Sequence, residues 1–321
     1  MEKRYSRQEV YDFIGKKGQK KLLSSKVTII GLGAIGSQVS SLLARAGIGH
    51  LILIDRDTIE LSNLQRQALF NESDVGKPKA VQAKINLQKI NSTIRIDSFD
   101  TDVNNDNIAT LLAKADVILD CTDNMETRFL INDFALKNKI PWIYAGAIQS
   151  TAFIMNIIPG KTPCYSCVFS KPASLATCET SGVLGTSTSL VASLQVSEAI
   201  KILLEKNYAK ELIHINLETN AFDKFKIKKR KDCPACEGHY LFLNALNPEG
   251  ILKFCSSGNY QIPLKNVNLR QLKASLAKID AVQDLETCLH FKNMLIFPHR
   301  CLIKAKSEAE AKSLVSKYIG N

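Results

Sequence analysis

Apolar runs and amphipathic stretches alternate along the first 150 residues of the chain. Nearly continuous apolar runs predict strands at 26–33, 50–55, 115–123 and 142–147, and RIDSF at 95–99 predicts a further short strand. Between them, apolar residues recur at helical spacing and predict helices at 34–47, 76–91, 107–115 and 125–138. Strands that are apolar throughout and joined by helices are typical of parallel sheets covered on both faces. We therefore predict an α/β fold with a mostly parallel sheet and helices on both of its faces.

The pattern changes after residue 150. A strand is predicted at 151–159, followed by a long loop containing glycine, proline and serine at 160–185. A strongly amphipathic helix at 186–205 and a strand pair at 214–229 complete this part of the chain. The remaining residues have a mixed pattern of their own. We therefore predict one domain at 1–240 and a small C-terminal α/β appendage at 241–321, whose role the sequence does not assign.

A glycine-rich turn joins the first predicted strand to the first predicted helix. Gly31, Gly33 and Gly36 form GxGxxG at this junction, and Asp55 ends the next strand. In a Rossmann-like fold, this spacing places a diphosphate over the helix N-terminus and a carboxylate on ribose hydroxyls. A turn needed only for close helix–sheet packing would use the same glycines, but in this context the nucleotide interpretation is favoured. The turn alone does not establish NAD as the ligand.

Polar and basic side chains follow the predicted ribose carboxylate. Asn63 and Arg66 lie one short loop beyond it, and Lys79 begins the next helix in GKPK. Each cation alone is more often a surface residue. Together, at the carboxyl ends of successive strands where such sheets bind ligands, they predict contacts with the triphosphate of ATP.

The polar end of the strand at 115–123 offers a carboxylate, Asp123, in the sequence TDN. An aspartate there suits Mg²⁺, which prefers a carboxylate together with phosphate oxygens. An aspartate or asparagine at this position also suits an N-cap of the following helix. The two roles are compatible, and the residues alone leave both open.

The nine cysteines occur in a long chain with no secretory signal, which argues against a disulfide framework. Four of them form two CxxC pairs, CYSC and CPAC, about 66 residues apart. Two such pairs predict a tetrahedral structural Zn²⁺ site with no open position for catalysis. A redox dithiol would need only one pair. The predicted ligands are Cys164, Cys167, Cys233 and Cys236.

The composition narrows the class of protein. With 45% hydrophobic and 23% charged residues the chain reads as a globular protein, and no apolar run approaches the length of a membrane span. The first residues, MEKRYSRQEVYDF, do not resemble a signal peptide, so we expect a cytoplasmic location and no membrane partner. The net charge of +11 favours an acidic partner or a solvated lysine-rich surface about equally.

The order of these motifs resembles the MoeB/ThiF/HesA family, the bacterial relatives of ubiquitin-activating enzymes. The resemblance covers residues 4 to 238, and its motifs in chain order are RYSRQ, GLGAIGS, DRDTIELSNLQRQ, GKPKA, DCTDN, CYSC, CETSGVLG, SLQVSEAIK and CPAC. It implies a homodimeric adenylyltransferase that uses MgATP to adenylate the C-terminal glycine of a small ubiquitin-fold sulfur carrier. A ThiS-like carrier would indicate thiamine biosynthesis, and a MoaD-like carrier would indicate molybdenum cofactor biosynthesis. A cysteine desulfurase or sulfurtransferase is a further expected partner.

The resemblance also implies roles for individual residues. Asp55 would bind ribose, Asp123 would hold Mg²⁺, and Arg7 would reach the phosphates of the partner subunit's site. Cys178 matches a cysteine that in some members reacts covalently with the activated carrier and in others is dispensable. The residues expected to contact the triphosphate are Asn63, Arg66 and Lys79.

Two features depart from the family pattern. The family commonly has GxGGxG, whereas Ala34 occupies the fourth position here, and its methyl would narrow the approach to phosphate slightly. Some members carry a C-terminal rhodanese domain, but the sequence around Cys255 is a poor match and residues 241–321 are too short for one. The appendage more closely resembles a small α/β segment of other members.

Two other classes of protein share parts of the pattern. An NAD-dependent oxidoreductase would use the same glycine turn, but it leaves the arginine, the lysine and the four paired cysteines unexplained. A zinc-bearing nucleic-acid module would use the positive charge, but aromatic residues are sparse and not interleaved with the basic ones. We therefore expect ATP, Mg²⁺ and Zn²⁺ as cofactors, and no nucleic-acid partner.

Overall fold

The computed structural model describes residues 3–169, 181–244, 252–253, 259–264, 267–285, 288–298 and 300–320. The chain divides into two compact units, Met1–Leu246 and Asn247–Asn321. None of the described helices is long and apolar enough to cross a membrane.

The first unit contains a sheet of alternating strands and helices. Its described strands are β1 (Lys26–Ile30), β2 (His50–Asp55), β3 (Arg95–Asp100), β4 (Val117–Asp120), β5 (Trp142–Ile148), β6 (Thr151–Ile157), β7 (Leu212–Asn216) and β8 (Ala221–Phe225). Its described helices are α1 (Ser6–Val10), α2 (Gly15–Ser24), α3 (Ala34–Ala46), α4 (Lys79–Ile90), α5 (Ile108–Leu112), α6 (Met125–Asn138), α7 (Tyr165–Val168) and α8 (Gly185–Leu203).

The strands of this unit form one mixed sheet in the order β3-β2-β1-β4-β5-β6-β7-β8. The five strands from β3 to β5 are parallel, and β6, β7 and β8 continue the sheet in antiparallel pairing. The chain reverses its direction of travel across the sheet at β1, which lies between β2 and β4. Ligands of open α/β sheets bind at such a switch point, beyond the carboxyl ends of the strands.

Helices cover both faces of the sheet, as the sequence predicts. Leu51 and Leu53 of β2 point into one core with α3, α4 and α8, whereas Ile52 and Ile54 point into a second core with α5 and α6. Successive strand residues face opposite sides, so a strand buried on both faces must be apolar at every position. This is the physical origin of the continuous apolar runs.

Helix α4 begins at Lys79, three residues later than the predicted start at Gly76. The preceding segment is held extended, because the Ile59 amide donates to Lys77 O at 2.9 Å and the Lys79 amide donates to Asp57 O at 2.9 Å. The long predicted loop also contains a short helix, α7, which begins directly after Cys164 and includes Cys167. The extended segment and the short helix depend on local hydrogen bonds, which the spacing of apolar residues does not reveal.

The described part of the second unit is an antiparallel sheet with two helices. Its described strands run in the order β11 (Val282–Asp284), β12 (Leu289–Phe291), β13 (Met294–Ile296), β14 (Arg300–Lys304), β10 (Asn259–Pro263) and β9 (Leu252–Lys253). Helices α9 (Leu269–Leu276) and α10 (Glu308–Tyr318) are capped by the side chains of Asn268 and Ser307. Phe291, Met294 and Ile303 are fully buried in the core of this unit.

Candidate functional site

The glycine turn between β1 and α3 is compact on one side and open on the other. Gly31 has a φ of +85°, and a Cβ there would lie 2.7 Å from the carbonyl oxygen of Cys121. A Cβ on Gly36 would lie 1.9 Å from Gly31 O, whereas the nearest atom to a Cβ on Gly33 is Gln67 Nε2 at 3.9 Å. The N-terminus of α3 has no side-chain cap. Its first amides therefore face an open space that suits a phosphate group.

Asp55 connects the end of β2 to this turn. One carboxylate oxygen accepts a hydrogen bond from the Leu32 amide at 2.5 Å, and the other accepts one from the Asp57 amide at 2.7 Å. Burial raises the pKa of Asp55 to about 6, although nearby Lys79 acts in the opposite direction. The carboxylate is therefore fixed next to the turn, where a ribose hydroxyl is expected.

Lys79 lies within electrostatic reach of three carboxylates from two segments of the chain. Its Nζ is 3.2 Å from Asp57 Oδ2, and the residue is only 6% exposed. Burial alone would lower the pKa of Lys79, but attraction to Asp57, Asp55 and Asp123 raises it. The fold thus places Asp55, Lys79 and Asp123 within electrostatic reach of one another. The sequence did not predict that Asp57 pairs with Lys79. Its position two residues after Asp55 is the signal that could have indicated this ion pair.

The segment after β2 contains the predicted phosphate ligands Asn63 and Arg66. Asn63 is buried, and its Oδ1 accepts from the Glu60 amide at 3.2 Å. Arg66 is half-buried, and its guanidinium donates to Ser62 O at 3.0 Å. No carboxylate in the described part of the chain pairs with Arg66, so its charge is available to a ligand.

Gln67, which the sequence analysis missed, lies beside the open glycine. Its side chain is 3% exposed, and its Oε1 has no hydrogen-bond partner among the described residues. A buried acceptor without a partner has a free-energy cost. Its side-chain amide lies beside Gly33, where it adds a polar group to the open side of the turn.

The sequence left open whether Asp123 suits Mg²⁺ or an aspartate or asparagine there caps the following helix. In the structure the N-cap is Asn124, the next residue. Asn124 caps α6, because its side chain accepts from the amides of Glu126 and Thr127 at 2.8 and 3.1 Å. Asp123 is exposed, and no described residue forms a hydrogen bond with its carboxylate. A solvent-facing carboxylate next to a phosphate cradle fits Mg²⁺, which binds one or two carboxylates together with phosphate oxygens.

A buried arginine, Arg128, contacts the segment that precedes Asp123 and was not predicted. Its Nε is 3.1 Å from Asp120 Oδ2, and its guanidinium also donates to Thr122 O. The guanidinium carbon lies 5.0 Å from the centre of the Tyr144 ring. Burial raises the pKa of Asp120, whereas the positive charge of Arg128 opposes that rise. An arginine in an amphipathic helix resembles a surface cation, so the sequence carries no clear signal of this role.

The four paired cysteines form one compact cluster. Their sulfurs are 3.7 Å apart for Cys164–Cys167, 3.5 Å for Cys164–Cys233, 3.6 Å for Cys167–Cys236 and 3.5 Å for Cys164–Cys236. Four sulfurs bound at about 2.3 Å to one zinc ion would lie about 3.8 Å apart. The Arg230 amide also donates to Cys167 Sγ at 3.5 Å. The cluster therefore fits a closed structural Zn²⁺ site.

The contacts described above do not include two predicted site residues, Arg7 and Cys178. Arg7 is exposed on α1 and forms no ion pair with a described residue of its own chain. Cys178 lies outside the described residues, as does Cys255. Ala34 is the first residue of α3 and is half-buried.

Comparisons with known proteins cover both units. Residues 5–235 match the ThiF family. The chain is 36% identical over 333 aligned positions to the sulfur carrier protein ThiS adenylyltransferase of Bacillus subtilis strain 168, covering 99% of each protein. It is 37% identical to the ThiS adenylyltransferase of Escherichia coli K12, covering 73% of this chain and 95% of the relative. The crystal structure of E. coli MccB with ATP is 29% identical, with a TM-score of 0.64, and the match covers 74% of this chain and 75% of that one.

Proposed function

The chain belongs to the ThiF family, and on this premise we propose that it adenylates the C-terminal glycine of a small ubiquitin-fold sulfur carrier. The observation that carries the proposal is the convergence of the glycine turn, Asp55, Lys79 and Asp123 at the carboxyl edge of the sheet. Relatives that match this chain along most of their length are named adenylyltransferases of such a carrier. The oxidoreductase alternative is not supported, because it leaves Lys79 and Arg66 without a role.

The reaction is a nucleotidyl transfer. A carrier carboxylate oxygen forms a bond to the α-phosphorus of ATP, and the bond from that phosphorus to the bridging oxygen breaks to release diphosphate. The nucleophile is already ionised at neutral pH, so no general base is needed. Catalysis then depends on positioning the reactants and on stabilising the charge that develops on the diphosphate.

The residues of the site divide this work. The open N-terminus of α3 and the cations Lys79 and Arg66 face the phosphates, and Asp55 accepts hydrogen bonds from ribose hydroxyls. Asp123 would hold Mg²⁺, which would supply further neutralisation of phosphate charge. The zinc cluster joins the segment at 164–167 to the segment at 233–236 and has no part in the chemical step.

Further partners follow from the same proposal. Arg7 acts in trans: in a homodimer it reaches the phosphates of the partner's site, which agrees with its exposure and with the lack of an ion pair to any described residue of its own chain. A cysteine desulfurase or sulfurtransferase supplies sulfur after adenylation, and Cys178 is the chain's own thiol for a covalent step. A cytoplasmic location is consistent with these partners.

The test is exchange of labelled diphosphate into ATP in the presence of each purified carrier, ThiS-like and MoaD-like. We expect one carrier to stimulate exchange strongly, because diphosphate re-enters ATP only when the acyl-adenylate has formed. The matched control is the same carrier without its last glycine, which should give no stimulation. Exchange that is absent with every carrier, in a protein that binds ATP, would contradict the proposal.

A further inference from the structure

The buried guanidinium of Arg128 holds the chain just before Asp123. It contacts the Asp120 carboxylate at 3.1 Å and donates to the carbonyl oxygen of Thr122. Asp120 in turn accepts from the Thr122 amide at 3.0 Å and from the Thr122 hydroxyl at 2.7 Å. These contacts close a ring of hydrogen bonds around the last residues of β4. The backbone from Asp120 to Thr122 is therefore fixed from both ends.

The residues after Asp123 are fixed as well. Asn124 caps α6 through the amides of Glu126 and Thr127. On the strand side, Gln195 of α8 donates to the carbonyl oxygens of Asp120 and Ile143, each at 2.9 Å. Asp123 is thus a single exposed residue between two restrained segments. Its carboxylate has no hydrogen bond with a described residue, so what these contacts fix is the position of the Asp123 backbone.

The surroundings of Arg128 are suited to an arginine and not to a lysine. The planar guanidinium bonds to a carboxylate and a carbonyl while lying over the Tyr144 ring, whereas an ammonium is a point charge without this fork. Tyr144 contacts Tyr165 with ring centres 5.2 Å apart, and Tyr165 lies between the zinc ligands Cys164 and Cys167. The segment that carries the first cysteine pair therefore also contributes to the aromatic wall beside the guanidinium.

We propose that Arg128 is a positioning residue for the Mg²⁺ ligand Asp123: it fixes the Asp120–Thr122 segment so that the carboxylate meets the metal and the ATP phosphates together. This inference rests on the proposed function, in which Asp123 holds the metal. Arg128 contacts the Asp120 carboxylate, the Thr122 carbonyl oxygen and the Tyr144 ring. Its effect on the reaction passes entirely through Asp123.

The experiment measures how much Mg²⁺ increases the affinity of the protein for a non-hydrolysable α,β-methylene ATP analogue. Titration calorimetry with and without Mg²⁺ is applied to the wild type, Asp123→Asn, Arg128→Lys and the double variant. We expect each single change to reduce the Mg²⁺-dependent gain in affinity about tenfold. A loss of this size lies within the range of interaction energies between coupled residues. Affinity without Mg²⁺ should stay close to wild type in Arg128→Lys. In the double variant the arginine change should add nothing further.

The matched control is Arg95→Lys, which makes the same substitution in an exposed ion pair with Asp97 on β3. It should leave the Mg²⁺-dependent gain unchanged. If Arg128→Lys does not fold, Thr122→Val removes the 2.7 Å hydroxyl bond of the same ring. It should reduce the gain by a smaller factor, and only when Asp123 is present.

Three results distinguish the inference from the proposed function. Additive effects of the Asp123 and Arg128 changes would overturn the inference, since a residue acting through Asp123 has no effect once that carboxylate is gone. A wild-type gain in Arg128→Lys, with a lost gain in Asp123→Asn, would overturn it while leaving the proposed function intact. A wild-type protein without any Mg²⁺-dependent gain would overturn the metal assignment and the inference together.

Discussion

Removing one zinc ligand should destabilise the first unit without damaging its core. Cys236 is the exposed member of the cluster, so Cys236→Ser leaves no cavity and changes mainly the metal site. A serine hydroxyl is a poor zinc ligand compared with a thiolate, and a site that depends on four ligands should lose most of its affinity. We therefore expect the variant to behave as the metal-free protein.

The structure sets the scale of the effect. The contact between Cys164 and Cys233 spans 69 positions of the sequence. Constraining a loop of this length in the unfolded chain contributes about 4 kcal/mol when the cross-link is treated like a disulfide. For a unit of this size each kcal/mol shifts the melting temperature by about 2–4 °C, so losing zinc should lower it by about 10 °C.

The assay combines elemental analysis with thermal unfolding before and after chelation. Wild-type protein should carry one zinc per chain, and chelation should lower its melting temperature to that of Cys236→Ser. The chelator should then have no further effect on the variant. Glu237→Gln, a change at the adjacent exposed residue, is the matched control and should keep both zinc and stability. Well-folded wild-type protein without zinc, or a variant as stable as wild type, would refute the reasoning.

Other predictions concern the nucleotide site. Arg66→Ala should lower the exchange rate at least tenfold while changing ATP affinity little, because its charge acts mainly on the departing diphosphate; a rate within a few fold of wild type would show the assignment to be wrong. Mixing Arg66→Ala with Arg7→Ala should restore one active site per dimer, and absence of complementation would remove the cross-subunit role. ATP affinity should fall as the pH drops through about 6, since protonating Asp55 removes the ribose acceptor; calorimetry on Asp55→Asn should show weaker binding at every pH and no such step. Cys178→Ala should keep adenylation but lose thiocarboxylate formation, and retention of both would exclude a covalent role.

The sequence predicted the parallel strands β1, β2, β4 and β5 because each of them is buried on both faces, whereas the edge strand β3 is partly exposed. Leu51 and Ile52 of β2 illustrate this, since adjacent residues enter different cores and both must be apolar. The four-cysteine cluster was predictable for a different reason, because few other roles require two CxxC pairs. The described geometry confirms that all four sulfurs lie within 4.8 Å of one another.

The parts that escaped prediction depend on side-chain contacts between distant segments. Asp57 and Lys79 are 22 positions apart, and their ion pair forms only because the segment before α4 is held extended beside residues 57–59. Arg128 is buried among polar groups that no periodicity reveals. Gln195 of α8 reaches the backbone of β4 across 75 positions. Apolar patterning specifies layers, whereas these polar contacts depend on the packed fold.

The three glycines of the turn are needed for different reasons, either by the packing of the protein itself or by the ligand. Gly31 and Gly36 are required by the protein itself, because a side chain at either would collide with backbone atoms. A Cβ on Gly33 would have only Gln67 Nε2 within 4 Å, at 3.9 Å, so the described residues leave room for an alanine there, and Ala34 is accommodated one position later. A descendant that no longer used a nucleotide would therefore keep Gly31 and Gly36 and could exchange Gly33. In a search for relatives that have lost nucleotide binding, a substitution at Gly33 is therefore the change in this motif to look for.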